Sequence, residues 1–201
     1  MENNDFTMKL GYSEMYEWKA PIPESRLGLF VSFDRDQPNK IVPYGENPGA
    51  EVLGVSTINA LTISDNPKEW HMKYAFNEVG DMYLKKEKLA VGQKVYDEFL
   101  ELNYISTRPW EHYIGIPTEN FDESKQYIPR TNRAEWVKVN LLGKCIVQDN
   151  GKCTPGQYCQ PYDGKLKVNF GKAIPLKKTW KGSKYYVLNR ISKNTIMILV
   201  K

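Results

Sequence analysis

Residues 185–201 read YYVLNRISKNTIMILVK, two runs rich in β-branched and aromatic residues separated by the polar step Lys193-Asn194. That pattern predicts a strand, a short turn and a second strand. A chain that closes on TIMILVK must insert the run into a sheet, because so apolar a segment is not a solvated tail. The fold therefore has to offer a sheet with a place kept for its last strand. The remaining composition agrees: 13 Tyr, 7 Phe and 5 Trp accompany 12 Pro and 14 Gly. Strands and turns are favoured over helix bundles by such a mix. The expected class is mainly β, of mixed sheets and hairpins, with little helix.

Upstream, RLGLFVSF (26–33) and EVLGVST (51–57) read as strands. The DRDQPNKIVPYGENPG between them is dense in Pro, Gly, Asn and Asp and reads as turns. Asp65-Asn66-Pro67 opens a further turn before EWHMKYAF. WVKVNLLGKCIV (136–147) is a strand, and Asn150-Gly151 behind it predicts a tight hairpin. Residues 81–107 fit two templates. One is a helix with Leu89, Val95 and Phe99 along a side; the other, preferred here, is a long two-stranded excursion, which Gly92 and the Val, Tyr and Phe content permit. The expected organisation is a short lead over 1–10 and a single β domain over 11–201, with 81–128 as a hairpin-like or partly helical insertion.

Several function classes recede. No apolar run approaches the ~20 residues of a membrane helix, and MENNDFTMK is acidic and polar, unlike a secretory signal. The net charge of +4 owes much to Lys165, Lys167, Lys172, Lys177, Lys178, Lys181 and Lys184, interleaved with Trp180, Tyr185 and Tyr186. A nucleic-acid face has that appearance. Solvated strand faces have it too, since edge lysines discourage sheet-to-sheet pairing, and no nucleic-acid motif accompanies the charge. A nucleic-acid partner is not expected. Cys145, Cys153 and Cys159 are odd in number and lack the paired spacing of a closed zinc site. Free thiols are expected, a Cys153–Cys159 bridge being the alternative, with no metal and no cofactor.

Catalytic signatures are few. There is no phosphate-binding glycine loop, no H-E-x-x-H and no G-x-S-x-G. Of the two histidines, His71 sits in Glu69-Trp70-His71-Met72 and suits packing better than proton transfer, and His112 stands without a partner motif. Carboxylate chemistry stays open in GYSEMYEW, residues 11–18, where Glu14 and Glu17 are three apart. On a strand they point to opposite faces, so one of them faces inward. A carboxylate turned in against Tyr12, Tyr16 and Trp18 is pushed towards neutrality by desolvation and becomes a better general base. The alternative is that both face solvent, or that one pairs with Arg26 or Arg35.

Taken in order, these blocks carry a resemblance. Gly11-Tyr12-Ser13-Glu14-Met15-Tyr16-Glu17-Trp18 resembles the opening of the self-cleaving intramolecular chaperone domains at the C-termini of phage tail spikes and pre-neck appendages, a glutamic-type peptidase family. RLGLFVSFD, EVLGVST, Glu69-Trp70-His71-Met72-Lys73-Tyr74 with Asn77-Glu78-Val79-Gly80, YIPRTNRAEWVKVNLLGK, DNGKC and YYVLNRISKNTIMILVK follow in the family's order. The likeness runs from about residue 11 to 201. Ser13 stands where the family usually has a small apolar residue, and Asn140 where Gly is usual.

The resemblance implies a β-rich homotrimer with a protruding long hairpin, a virion component made in the host cytoplasm, with other phage fibre, tail or capsid proteins as partners. It implies at most one turnover, severing a bond at the domain's own N-terminal edge, within residues 4–11 (Asp5-Phe6, for example). Carried over by position, Glu14 is the catalytic group and Glu17 the second candidate. Intramolecular placement lowers such a barrier by roughly 7–11 kcal/mol at best. With ten residues ahead of the block, two expectations stand side by side: a fragment of a longer protein, or a small gene product that keeps the fold as permanent architecture. An alternative of another class is a non-catalytic receptor- or glycan-binding module using Trp110, Tyr113 and Trp180 as platforms.

Overall fold

The computed structural model describes residues 10–20, 26–65, 73–97, 102–177 and 184–201. Two units emerge from the packing: Met1–Pro67 together with Ile128–Lys201, and Lys68–Tyr127. Within the first lie β1 (Tyr12–Trp18), β2 (Phe30–Phe33), β3 (Lys40–Pro43), β4 (Gly54–Thr57) and β5 (Thr62–Ser64). The second holds β6 (Leu84–Leu89), β7 (Lys94–Asp97), β8 (Leu102–Ile105) and β9 (Trp110–Gly115). The first unit resumes with β10 (Trp136–Gln148), β11 (Tyr158–Pro161), β12 (Ala173–Pro175), β13 (Tyr185–Ser192) and β14 (Thr195–Val200). Helix among the described residues is limited to single 3-10 turns such as Arg130–Asn132 and Lys167–Asn169. The chain is mainly β, as its residue pattern predicts.

All strands of the first unit join one ten-stranded sheet in the order β12-β11-β13-β14-β10-β4-β2-β3-β1-β5. A further pairing of β10 with β1 closes β1, β10, β4, β2 and β3 into a ring. The long β10 makes this possible. Its first half pairs with β1 and β4, and its second half, past Gly143 at φ +92, pairs with β14. The ring's interior is filled by Trp18, Val31, Ile41, Val137 and Val139, each essentially inaccessible, as a small barrel requires. A second core, with Phe30, Val55, Cys145, Val147, Ile196 and Ile198, packs on the opposite face. Alternation along the strands makes both: Val31 enters one core and Phe30 the other.

The terminal hairpin forms as expected, with β13 and β14 antiparallel and β14 lodged between β13 and β10. Three local readings need correction. Only Phe30–Phe33 of RLGLFVSF is strand. Gly28, at φ +72, donates to Ser56 O at 2.7 Å and accepts from Gln148 N at 2.7 Å, so the chain there bridges β4 and β10 instead of extending β2. Asn150-Gly151 does turn, with Gly151 at φ +80, but no hairpin returns along β10. The partner position is already held by β14, and the Asp149 carboxylate accepts the Cys153 N–H at 3.1 Å, redirecting the chain. KIVP, taken as turn, is β3.

Within 81–107, where helix and two-stranded excursion were both open, Leu84–Leu89, Lys94–Asp97 and Leu102–Ile105 are strand: β6 pairs antiparallel with β9, and β7 with β8. Each pair is a separate two-stranded sheet. The three cysteines are free, buried thiols within the second core. Burial pushes the Cys145 thiol up to about 12, and the Cys159 thiol is raised first by its contact with Cys153 and then by burial. They pack as small apolar side chains. His71 and Trp70 lie outside the described residues.

Candidate functional site

β1 is a central strand. β10 flanks it on one side, and on the other β3 pairs parallel at Glu17↔Lys40 and β5 parallel at Tyr12↔Thr62 through Glu14↔Ser64. Its even-numbered residues turn to the barrel interior, where Trp18 is 2% exposed and Tyr16 packs against the core. Glu14 shares that face, opposite Val139. Half-buried at the barrel's margin, its carboxylate accepts the Tyr12 hydroxyl at 2.7 Å on Oε1 and the Tyr16 hydroxyl at 2.8 Å on Oε2. Two of its lone-pair sites remain for a water. Tyr16 meets Phe33 edge-on, with centroids 5.7 Å apart. Its phenol is held above the usual range by burial first and by the bond to Glu14 second, so it stays a donor.

Glu17 is not part of that arrangement. It points to the other face and pairs with Lys40 Nζ at 2.7 Å, its side chain 28% exposed. Neither carboxylate pairs with Arg26 or Arg35: Arg26 lies over the Trp18 ring at 5.6 Å, and Arg35 donates to Pro48 O at 2.8 Å. Glu14 and Glu17 therefore sit in two separate environments.

The N-terminal edge of the domain is tightly built. Gly11 has φ +64, and a methyl on it would lie 2.2 Å from Asn140 Nδ2 and 2.5 Å from Leu142 O. Only glycine fits. The strand register slips between Tyr12 and Ser13, pairing them with Leu142 and Asn140. Asn140, fully buried, donates through Nδ2 to Leu10 O at 3.3 Å and Lys144 O at 3.1 Å. The Leu61 N–H lies 3.4 Å from Leu10 O and 3.0 Å from Gly11 O. Ser13 Oγ and Asn140 Oδ1, on cross-strand partners, are buried without hydrogen-bond partners among the described residues. An unsatisfied atom of this kind costs about 1–3 kcal/mol. Behind β5, Asp65 and Arg130 form an ion pair, and Arg130 also donates to Asp65 O at 2.9 Å and stacks 4.0 Å from the Trp136 ring centroid.

The tyrosine clamp on Glu14 is readable in the Tyr-x-Glu-x-Tyr alternation of period two. The Asn140 and Leu61 contacts to the chain's first described residue have no such local signal. Of the aromatic platforms, Trp110 is 40% and Tyr113 54% exposed on β9, and Trp180 lies outside the described residues. Among the described residues no group of three or more His, Cys, Asp or Glu has metal-holding geometry, and no helix is long and apolar enough to cross a membrane.

Comparison with known proteins bears on this edge. The chain is 27% identical over 131 residues to the preneck appendage protein of Bacillus phage PZA and 29% identical over 101 residues to the pre-neck appendage protein of Bacillus phage phi29. Those stretches are 65% and 50% of this chain but only 13% and 10% of the relatives' length. The fold is similar to the crystal structure of the pre-mature bacteriophage phi29 gene product 12, with a TM-score of 0.65, 20% identity, and 96% of this chain against 22% of that one. It is likewise similar to the crystal structure of the phi29 gene product 12 C-terminal fragment, with a TM-score of 0.62, 22% identity, and 94% and 99% of the two chains. With residues 2–186 matching the family's sequence profile, the chain belongs to the Peptidase_G2 family, the IMC autoproteolytic cleavage domain.

Proposed function

We propose that this domain trimerises as part of a phage virion appendage and cleaves, once, the peptide bond at its own N-terminal edge, with Glu14 as the general base. The observation that carries the reading is the clamped Glu14 carboxylate. It is fixed by two tyrosine hydroxyls on the first strand of the domain, directly after the lead that would be released. Family membership supports the cleavage chemistry, and the pre-neck appendage relatives support the virion setting. The bond best placed is Leu10–Gly11, the first peptide pinned by the sheet, with Gly11 O receiving the Leu61 N–H at 3.0 Å.

A strand advances roughly 3.3 Å per residue, so Glu14 stands about 10 Å along the chain from that bond. One water cannot bridge that distance, so the carboxylate reaches the attacking water only when neighbouring copies pack at this edge. Turnover in trans is not expected, because the substrate is the domain's own lead. Glu17, tied to Lys40, serves the sheet. Glycan binding is the second reading, favoured by the exposure of Trp110 and Tyr113 on β9; it predicts tryptophan quenching by added glycans.

The test is intact mass and oligomeric state, measured together on the chain fused behind a leader of distinct mass. Wild type is expected to be trimeric and to release a product running from Gly11 to Lys201, while Glu14→Gln stays whole and trimeric. Equal cleavage in Glu14→Gln would remove the base assigned here. A monomer in both forms would end the trimer reading.

A further inference from the structure

We propose that Asn140 is a catalytic residue of this cleavage: its carboxamide nitrogen and the Leu61 N–H form the pair of donors that receives negative charge on the Leu10 carbonyl oxygen. The inference rests on the self-cleavage reading and assigns it an oxyanion donor particular to this chain, since the family usually has Gly where Asn140 stands.

The placement of Asn140 is the first reason. It is fully buried on β10, and its cross-strand neighbour Val55 belongs to the apolar core with Phe30. A carboxamide there gives up hydration that an apolar side chain would not, so what it contacts has to account for it. Both groups in contact with its nitrogen, Lys144 O and Leu10 O, are carbonyl oxygens. That settles which end of the amide faces them, since Oδ1 could accept from neither. The bond to Lys144 O, at 3.1 Å, holds the group in place, and the second hydrogen is directed to Leu10 O.

The second reason is the distances. Asn140 Nδ2 is 3.3 Å and Leu61 N 3.4 Å from Leu10 O. Those are long bonds to a neutral amide. An oxyanion draws its donors to roughly 2.7–3.1 Å, so both contacts have room to strengthen as the carbonyl carbon becomes tetrahedral, the Leu61 N–H by turning from Gly11 O, which it meets at 3.0 Å, towards Leu10 O. Donors that bind the transition state better than the ground state are the ones that accelerate a reaction. Glycine at position 11 permits the approach, since a methyl there would occupy the space of Nδ2.

By strand alternation Asn140 serves the face of β1 that carries Ser13, while Glu14 lies on the other. The base and the oxyanion donors thus approach from different sides. Once neighbouring copies pack at this edge and bring Glu14 within reach, a water oxygen bonds to the Leu10 carbonyl carbon while Glu14 takes one of its protons. The carbonyl π pair moves onto oxygen, held by Asn140 and Leu61. Collapse breaks the carbon–nitrogen bond, and the proton on Glu14 passes to the Gly11 nitrogen. The products are a Leu10 carboxyl group and a free Gly11 amine.

The experiment uses the leader-fused chain with Asn140→Leu, which keeps the branched outline without the polar atoms, and Asn140→Ala, which removes the carboxamide and adds no bulk, beside Glu14→Gln. Two quantities are read: the first-order cleavage rate from intact mass, and the amide I band of a carbon-13 label at the Leu10 carbonyl in the uncleaved Glu14→Gln background. Both Asn140 variants should cleave about 10²–10³-fold more slowly while remaining trimeric, and the labelled band should move to higher frequency when Asn140 is replaced. Wild-type rates in either folded variant, with Glu14→Gln inactive, would overturn the role of Asn140 and leave the cleavage reading standing. An unmoved carbonyl band would overturn it too, even if both variants misassemble. A wild-type chain that never cleaves would overturn the cleavage reading and the role of Asn140 with it.

Discussion

The two units of this chain are written in the same alphabet of short strands and polar turns, yet they are held together differently. In the first, β10 and β14 have partners on both sides, and side chains from several strands meet in two cores. In the second, β6 with β9 and β7 with β8 are each a lone antiparallel pair. Among its described apolar side chains only Leu89 and Val95 are buried, while Val79, Val91, Leu102 and Ile105 are each more than half exposed. Two strands without a layer beneath them are marginal in water. Strand-forming residues therefore do not make a stable sheet by themselves; layered burial does.

The largest expected difference is in core truncation. Phe30 is inaccessible and meets Tyr185 with ring centroids 4.8 Å apart, so Phe30→Ala should cost about 3–5 kcal/mol in equilibrium denaturation. Leu102, 57% exposed, should change stability by no more than about 0.5 kcal/mol on truncation to Ala. If Leu102→Ala were as costly as Phe30→Ala, and the cost grew with protein concentration, another copy would be covering β8. The contrast would then belong to the single chain only.

Ion pairs should repeat the contrast on a smaller scale. Arg190 reaches the inaccessible Asp149 with two bonds, 3.1 Å and 2.8 Å, and also donates to Ser192 O and Lys193 O, closing the β13–β14 turn. Arg190→Ala leaves that buried carboxylate without its cation and should cost about 2–3 kcal/mol. Lys86 and Glu111 are 3.2 Å apart across β6 and β9, both well exposed. Lys86→Ala should leave the melting temperature unmoved, because solvent screens such a pair. Equal losses at the two sites would mean that β6 and β9 are far better enclosed than their exposure indicates.

What could be read from the residues follows the same division. The hairpin of 185–201 and the period-two clamp on Glu14 are local patterns, decided by neighbours in the chain. Barrel closure was not legible, because it depends on the parallel pairing of Glu17 with Lys40 and on β10 serving three partners. KIVP escaped notice because Ile41, Val42 and Pro43 are all buried without alternation and turn residues surround them. Asn150-Gly151 carried a true turn signal, but competition from β14 for β10 decided where the chain went next. The Asn140 contact to Leu10 spans a sequence separation of 130, and no motif could announce it.

The smallest effect, and the finest test of the contrast, is in the acid limb of stability. The Asp34 side chain is 2% exposed and lies 2.9 Å from Lys19 Nζ, and it accepts the Gln37 and Asp36 N–H groups at 2.9 Å and 3.1 Å. Its carboxyl is held below the ordinary 3.8, first by Lys19 and then by the backbone donors against the cost of burial, while Lys19 is held above its ordinary 10.5 by the same bond. A depressed carboxyl contributes stability that is fully present above its unfolded value and is lost as the pH falls through the folded one. A raised lysine contributes below its unfolded value and loses that contribution as the pH rises through the folded one. The pair is therefore complete from just above pH 3.8 to just below 10.5 and weakens outside those limits. Asp122 in the other unit is depressed as well, by the Ser124 hydroxyl first, but its side chain is 41% exposed. Thermal melts between neutral pH and pH 3 should show a flatter acid limb for Asp34→Asn, which keeps the turn's acceptor and loses the ion pair, and little change for Asp122→Asn. If Asp122→Asn flattened the limb equally, exposure would not separate the two carboxylates, and the electrostatic side of the contrast would be lost while its packing side remained.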